Sequence, residues 1–252
     1  MIRLQNICKN YEKTEVLKDI SVSFQKGKFS SLIGANGAGK STLLGIASRL
    51  IKPDSGQIYY DETELSHFKS NELAKKISIL KQTNHLNIRL TVKELVSFGR
   101  FPHSANSLNA EDKIKINEAI EYMGLCELQD HFLDSLSGGQ KQRAFIAMII
   151  AQDTEYILLD EPLNNLDMKH CVSIMKILKK LIQDFNKGII CVLHDINFAS
   201  VYSDEIVAMK DGKIFKKAST QELIQSELLK EIYDMDIKIK EVEGKKICIY
   251  FD

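Results

Sequence analysis

The chain has 252 residues, 44% of them apolar and 27% charged, with three prolines and 34 basic side chains against 34 acidic ones. That length buries a full core in one or two joined lobes, and the composition excludes a disordered or low-complexity tract. The cancelled charge excludes the overall basic field that draws a protein to nucleic acid; no apolar run reaches the roughly 18 residues of a membrane span, and the first residues hold no signal-peptide core, so the chain is expected on the cytoplasmic side.

Residues 2–8 and 15–34 alternate apolar and polar at period two around a Lys26-Gly27-Lys28 turn. They predict a small antiparallel sheet feeding a buried strand at 29–33. Beyond Gly39 the period changes: Leu43, Leu44, Ala47 and Leu50 share one face at helical spacing. A turn at 53–56, a short strand at 57–60 and an apolar strand at 77–80, ending at Gln82, come next. From 91 to 150 the pattern is mainly helical, with Thr91 placed to cap a helix carrying Glu94 at its third position. This stretch predicts a helical lobe, 83–153, inserted into a sheet core made of 1–82 and 154–252. Residues 156–159 and 188–193 are short, almost wholly apolar runs of the kind covered on both faces in a parallel sheet, and 168–185 reads as the crossover helix between them. A strand at 205–209, a turn at Asp211-Gly212, a helix over 220–233 and two strands broken at Glu243-Gly244 complete an α/β chain. The five cysteines, Cys8, Cys126, Cys171, Cys191 and Cys248, stand singly, which does not suit a disulfide framework or a zinc site.

Between the first buried strand and its helix lies Gly34-Ala35-Asn36-Gly37-Ala38-Gly39-Lys40-Ser41, followed by Thr42. The pattern GxxxxGK followed by Ser or Thr lets glycines turn successive backbone N–H groups inward on phosphates, with the helix dipole behind them. Lys40 supplies a point charge for the β and γ phosphates, and Ser41 a hard oxygen for Mg2+. Alone, the motif indicates a nucleoside triphosphate and no particular machine. The strand at 156–159 ends in Asp160-Glu161, at the edge where open α/β sheets bind ligands. Asp160 is placed to hold Mg2+ through water and Glu161 to polarise the attacking water, although strands also end in solvated acids for no catalytic reason. Within the helical stretch, Leu136-Ser137-Gly138-Gly139-Gln140 precedes a helix expected from about 141 to 152, with Phe145, Met148 and Ile149 on its apolar face, and presents a second set of backbone donors. One triphosphate cannot obviously use both sites of one chain.

With the phosphate loop before it and Asp160-Glu161 after it, LSGGQ resembles the signature of ABC ATPases, and the resemblance covers essentially the whole chain. It implies a P-loop NTPase (RecA-like) core with an N-terminal antiparallel β subdomain and an inserted α-helical subdomain. It implies that two such domains meet head to tail, so that Ser137, Gly138, Gly139 and Gln140 of one act on ATP held by the other. By the same resemblance Tyr11 stacks on adenine, Gln82 contacts Mg2+ and the attacking water, His194 bonds the γ phosphate, and Asp167 touches the opposing phosphate loop. Tyr11 and His194 have plainer readings as a surface tyrosine and a structural histidine, and a lone Gln82 would carry no meaning. Asn164-Asn165-Leu166-Asp167 departs from the commoner Ser-Ala-Leu-Asp form.

The stretches at 97–104, SFGRFPHS, and 159–170, LDEPLNNLDMKH, are similar to ATPases of ferric siderophore importers, relatives of cobalamin and haem importers. That implies ATP and Mg2+ as cofactors, a second ABC ATPase domain, integral permease subunits and, indirectly, an extracellular siderophore-binding protein as partners, and a peripheral place on the cytoplasmic face of a bacterial membrane. The loop over 83–103 is the expected permease contact. A soluble ABC ATPase of the cluster-assembly type would carry the same motifs and no permease.

Overall fold

The computed structural model describes residues 1–82, 88–104 and 107–251. Strands β1 (Ile2–Tyr11) and β2 (Thr14–Phe24) form an antiparallel hairpin in which Ile2 faces Phe24 and Leu4 faces Val22. Strand β3 (Phe29–Ile33) is buried along its whole length and leads into α1 (Lys40–Ala47). Strands β4 (Ser55–Tyr60) and β5 (Thr63–Glu64) extend the hairpin into a four-stranded sheet of order β2-β1-β4-β5. The short helix α2 (Ser70–Ala74) precedes β6 (Ile77–Leu80). Four helices follow: α3 (Val92–Phe98), α4 (Phe101–Ser104), α5 (Ala110–Tyr122) and α6 (Gly138–Ala151). The chain then alternates through β7 (Tyr156–Asp160), α7 (Met168–Phe185), β8 (Gly188–Val192), α8 (Ile196–Tyr202), β9 (Glu205–Lys210) and β10 (Lys213–Ser219). It ends in α9 (Thr220–Leu223), α10 (Ser226–Tyr233) and a hairpin of β11 (Lys238–Val242) with β12 (Lys245–Ile249).

The central sheet has the order β10-β9-β3-β8-β7-β6, parallel except at β10. Alternation decides which face each residue serves. Phe29, Ile33, Ile157, Leu159, Ile189 and Cys191 pack against the helices, while Leu32, Tyr156, Leu158, Ile190 and Val192 pack against α1 and the N-terminal sheet. Both faces are therefore apolar, which is why these strands read as unbroken hydrophobic runs. Truncating one of these leucines to alanine would cost about 2–5 kcal/mol, because the surrounding layers cannot close the cavity. The apolar interior of α3, α5 and α6 is continuous with that of the helix-covered sheet face.

Several buried polar groups are paired, while Arg3 Nε, Arg143 Nε and the Tyr156 and Tyr233 hydroxyls are buried without a hydrogen-bond partner. Ser30 Oγ donates to Glu205 Oε1 at 2.7 Å, and Lys217 lies 3.2 Å from the same oxygen. Arg100, at the junction of α3 and α4, donates from Nε to Asp112 Oδ1 at 2.9 Å and from a terminal nitrogen to the Ala151 carbonyl at 2.9 Å, which ties three helices together. The Asn109 backbone N–H holds the Asp112 carboxyl below the usual range, with Arg100 adding to it against the effect of burial.

The Thr91 cap forms as expected: Thr91 Oγ1 accepts from the Glu94 N–H at 3.2 Å and Glu94 Oε2 accepts from the Thr91 N–H at 2.7 Å. Other expectations need correction. Helix α1 ends at Ala47, so Leu50 leaves the apolar face and is 50% exposed. The helix expected over 220–233 breaks into α9 and α10, because the Ile224 and Gln225 backbone leaves helical geometry between them. Helix α6 begins at Gly138, with Phe145 and Ile149 buried and Met148 only half-buried. Cys171, Cys191 and Cys248 are buried, Cys8 is half-buried and Cys126 is exposed. Of the expected contact loop, residues 83–87 lie outside the described residues, and α3 and α4 occupy much of the rest, with the Phe98 and Phe101 rings 5.0 Å apart.

Candidate functional site

The carboxyl ends of β3, β6, β7 and β8 lie along one edge of the sheet, and the candidate residues emerge there. The turn after β3 is possible only with glycine at its ends. At Gly34 (φ 141°) a Cβ would sit 2.1 Å from the Met209 carbonyl oxygen, and at Gly39 (φ 97°) 2.6 Å from Leu17 Cδ2. Ala35, Asn36 and Gly37 form the exposed crest, while Ala38 is buried beneath it. Lys40 opens α1 from inside this turn, its ammonium donating to the Gly34 carbonyl at 2.8 Å and the Ala35 carbonyl at 3.0 Å. Burial lowers its pKa, and the nearby Glu161 and Asp160 carboxylates oppose that fall.

Asp160 and Glu161 close β7. Asp160 Oδ1 accepts from Ser41 Oγ at 2.8 Å, and burial raises the Asp160 pKa. Glu161 adopts the left-handed region (φ 52°), which swings its carboxylate back across the strand ends. Its Oε1 lies 2.5 Å from His194 Nε2, and its Oε2 accepts from Gln82 Nε2 at 2.7 Å and from the Asn164 side-chain amide. Three elements thus deliver Gln82, Glu161 and His194 to one point. Beside it is a cleft of about 300 Å3 lined by Tyr11, Val16, Asn36, Gly37, Gly39, Lys40, Ser41, Thr42, Glu161 and His194. Tyr11, 45% exposed at the end of β1, presents its ring there with the Lys9 ammonium 5.6 Å from its centroid. A second depression, of about 260 Å3, meets this cleft at Ser41 and Thr42 and adds Gln82 and Asp160. A larger cavity, about 680 Å3 between α5, α6 and α7, contains none of these residues. The Lys40 ammonium, the hydroxyls of Ser41 and Thr42 and the Glu161 carboxylate converge on the smaller cleft.

Ser41, Gln82 and Asp160 offer a hydroxyl, an amide carbonyl and a carboxylate, all hard oxygen donors. Among the described residues no group of three or more His, Cys, Asp or Glu could hold a metal ion. The donor set suits Mg2+ carried with phosphate oxygens and does not suit a cage made of protein alone.

The second group of candidates does not line this cleft. Ser137 Oγ accepts from the Gln140 N–H at 3.3 Å while Gln140 Oε1 accepts from the Ser137 N–H at 2.9 Å, a reciprocal cap on α6. At Gly138 a Cβ would make only an ordinary contact with the Asn165 carbonyl oxygen at 3.9 Å. Gly139 is packed against His170, whose imidazole would meet a Cβ at 2.5 Å. Asp167 caps α7, its Oδ1 accepting from the His170 N–H at 2.9 Å and its Oδ2 lying 2.8 Å from His170 Nδ1. Those contacts, the backbone one first, hold the Asp167 carboxyl below its usual range.

Sequence reasoning missed two partners. Asn164, which donates to Glu161, also closes a turn through its backbone N–H to the Glu161 carbonyl at 3.3 Å; the Pro162 step that makes this turn was the available signal. His170 carries no motif, and its contact with Gly139 exists only in three dimensions.

The family pattern described as ABC transporter matches residues 17–164. The chain is 59% identical over 251 residues to the petrobactin import ATP-binding protein YclP of Bacillus subtilis (strain 168), covering 100% of both. It is 45% identical to the petrobactin import ATP-binding protein FatE of Bacillus anthracis, over 99% of this chain and 100% of that one. A solved bacterial ABC transporter cassette in dimeric form superposes with a TM-score of 0.78 at 32% identity, covering 87% of this chain and 99% of that one.

Proposed function

Because this chain belongs to the ABC transporter family, we propose that it is the ATP-hydrolysing subunit that powers import of a ferric siderophore through a partner permease. ATP hydrolysis is the activity of the family, and the two relatives at 59% and 45% identity are named as ATP-binding proteins of petrobactin import, which supports a petrobactin-like iron complex as the solute. No helix among the described residues is long and apolar enough to cross a membrane, so movement of a solute must be performed by other chains. We place the protein on the cytoplasmic face of the membrane, as a pair of cassettes docked on the permease through the lobe 83–153, with an extracellular binding protein delivering the siderophore.

The observation that carries the chemistry is the convergence of Gln82, Glu161 and His194 beside the enclosed Lys40. We assign Lys40 and the loop 34–42 to the phosphates and Tyr11 to the base. Lys40 exchanges its two carbonyl partners for phosphate oxygens when ATP enters. Mg2+, held by Ser41, Asp160 and Gln82 with the phosphates, would neutralise charge developing on the nucleotide. Glu161 takes a proton from a water whose oxygen forms the new bond to the γ phosphorus, while the bond from that phosphorus to the bridging oxygen of ADP breaks. For Glu161 to accept that water, at least one of its present partners must turn away, and alternative partners would be Mg2+ for Gln82 and the γ phosphate for His194. Ser137–Gln140 and Asp167 are assigned to the ATP held by the second cassette.

The test is uptake of radio-iron-loaded petrobactin by cells in which the gene is deleted or replaced by Glu161→Gln. Uptake lost in both and restored by the parent gene is the expected result. Undiminished uptake in the deletion strain would remove the siderophore, and co-isolation of Glu161→Gln with soluble proteins alone would remove the permease.

A further inference from the structure

The terminal hairpin β11–β12 lies outside the stretch that matches the family pattern, yet it grips the helix that follows His194. Asn197, in the first turn of α8, donates from Nδ2 to the Cys248 carbonyl at 3.1 Å and accepts at Oδ1 from the Cys248 N–H at 2.7 Å. It satisfies both the backbone N–H and the carbonyl of Cys248, as a neighbouring strand would. Three residues on, Ser200 Oγ donates to the Lys246 carbonyl at 2.5 Å. Lys246 Nζ in turn donates to the Gln221 carbonyl at 2.5 Å and the Ile224 carbonyl at 2.9 Å, which ties the hairpin to the α9–α10 corner. Cys248 is buried, and Ile239 and Tyr250 pack on the helix-covered core, so the hairpin is a fixed base.

His194 needs such a base. Its side chain is 40% exposed, and its close polar partner is Glu161, which must also serve water. Its place therefore depends on the backbone on either side. Leu193 is fixed to β3 by its N–H donating to the Leu32 carbonyl at 3.2 Å. On the other side Asp195 caps α8 by accepting from the Asn197 N–H at 2.7 Å, and Asn197 is the residue the hairpin holds.

We propose that the terminal hairpin is a positioning device for His194, acting through Asn197 and the start of α8. This rests on the assignment of His194 to the γ phosphate. A residue that only supports the fold lowers affinity for ATP and ADP alike, whereas one that acts through His194 affects ATP alone, since ADP has no γ phosphate.

The experiment measures Kd for MgATP and MgADP by calorimetry on the full-length protein, for the parent, Asn197→Ala, His194→Ala and the double variant, with turnover alongside. Expected is a preference for ATP that falls about threefold to tenfold in Asn197→Ala with the ADP Kd unchanged, and no further fall when Asn197→Ala is added to His194→Ala. Ser200→Ala, which removes one hydroxyl from the same grip, should show a smaller loss of the same kind and serves if Asn197→Ala does not fold. Equal losses for ATP and ADP, the same loss in both backgrounds, or no loss would overturn the proposal while leaving the ATPase reading intact. A parent and a His194→Ala protein that bind ATP and ADP equally would instead overturn the role of His194 and the hairpin's role with it.

Discussion

The phosphate cleft and the signature turn are built in opposite ways. Around the cleft, bonds join residues far apart in the chain: Ser41 to Asp160, Gln82 to Glu161, His194 to Glu161. At the signature turn and the Asp167 loop they join residues three apart: Ser137 to Gln140, Asp167 to His170. The first region is preassembled by the sheet within one chain. The second is a pair of locally capped helix starts whose exposed backbone has no partner in the cleft of its own chain, as expected of a surface that works against a second cassette.

The contrast can be broken most severely at Glu161. Glu161→Gln should lower turnover by about 100- to 10,000-fold, the range for losing a general base, with ATP binding retained. Near-normal turnover would move the base elsewhere. Lys40→Ala should weaken ATP binding about 10- to 100-fold, because a hydrogen-bonded charge inside the loop is lost; equilibrium binding on the single chain checks it. At the other region, Gly139→Val forces side-chain atoms into His170. It should leave ATP affinity of the isolated chain within about twofold and lower turnover of the assembled transporter roughly tenfold or more, the size expected for losing charge-stabilising donors. Loss of ATP affinity in the isolated chain would mean that the two regions are not separate.

The smallest effects are in stability, with opposite signs in the two regions. Burial raises Asp160 above the ordinary 3.8, so its ionisation opposes folding at neutral pH. Asp160→Asn should therefore melt higher than the parent in the absence of nucleotide at pH 7, and the gain should vanish as pH falls below the ordinary aspartate value. The Asp167 carboxyl is held below 3.8, so its contribution is present above that value and is lost as pH falls through its lowered folded pKa. Asp167→Asn should melt lower at pH 7 and match the parent in strong acid. Thermal melts of both variants across pH check the two signs together.

Much of the site was legible because its residues lie at chain positions dictated by local geometry. Gly34 and Gly39 are required by backbone clashes within the turn, and Asp160-Glu161 ends a strand whose apolar run marks it out. The roles of Asn164, His170 and Asn197 were not legible, since an isolated Asn or His carries no period and no motif. Their partners, Glu161, Gly139 and Cys248, are set by turns and packing that span three to fifty-one residues.

The sequence by itself determined the α/β class, the buried parallel strands, the phosphate loop, the cap at Thr91, and membership of a nucleotide-hydrolysing family, because each follows from residue types at short fixed spacings. Only the tertiary structure decided where α1 stops, that 220–233 is two helices, that Glu161 is held by Gln82 and His194 from separate segments, and that the chain's last strand holds the helix beside His194. Those features depend on contacts between residues distant in the chain, and a one-dimensional pattern carries no information about which distant surfaces meet.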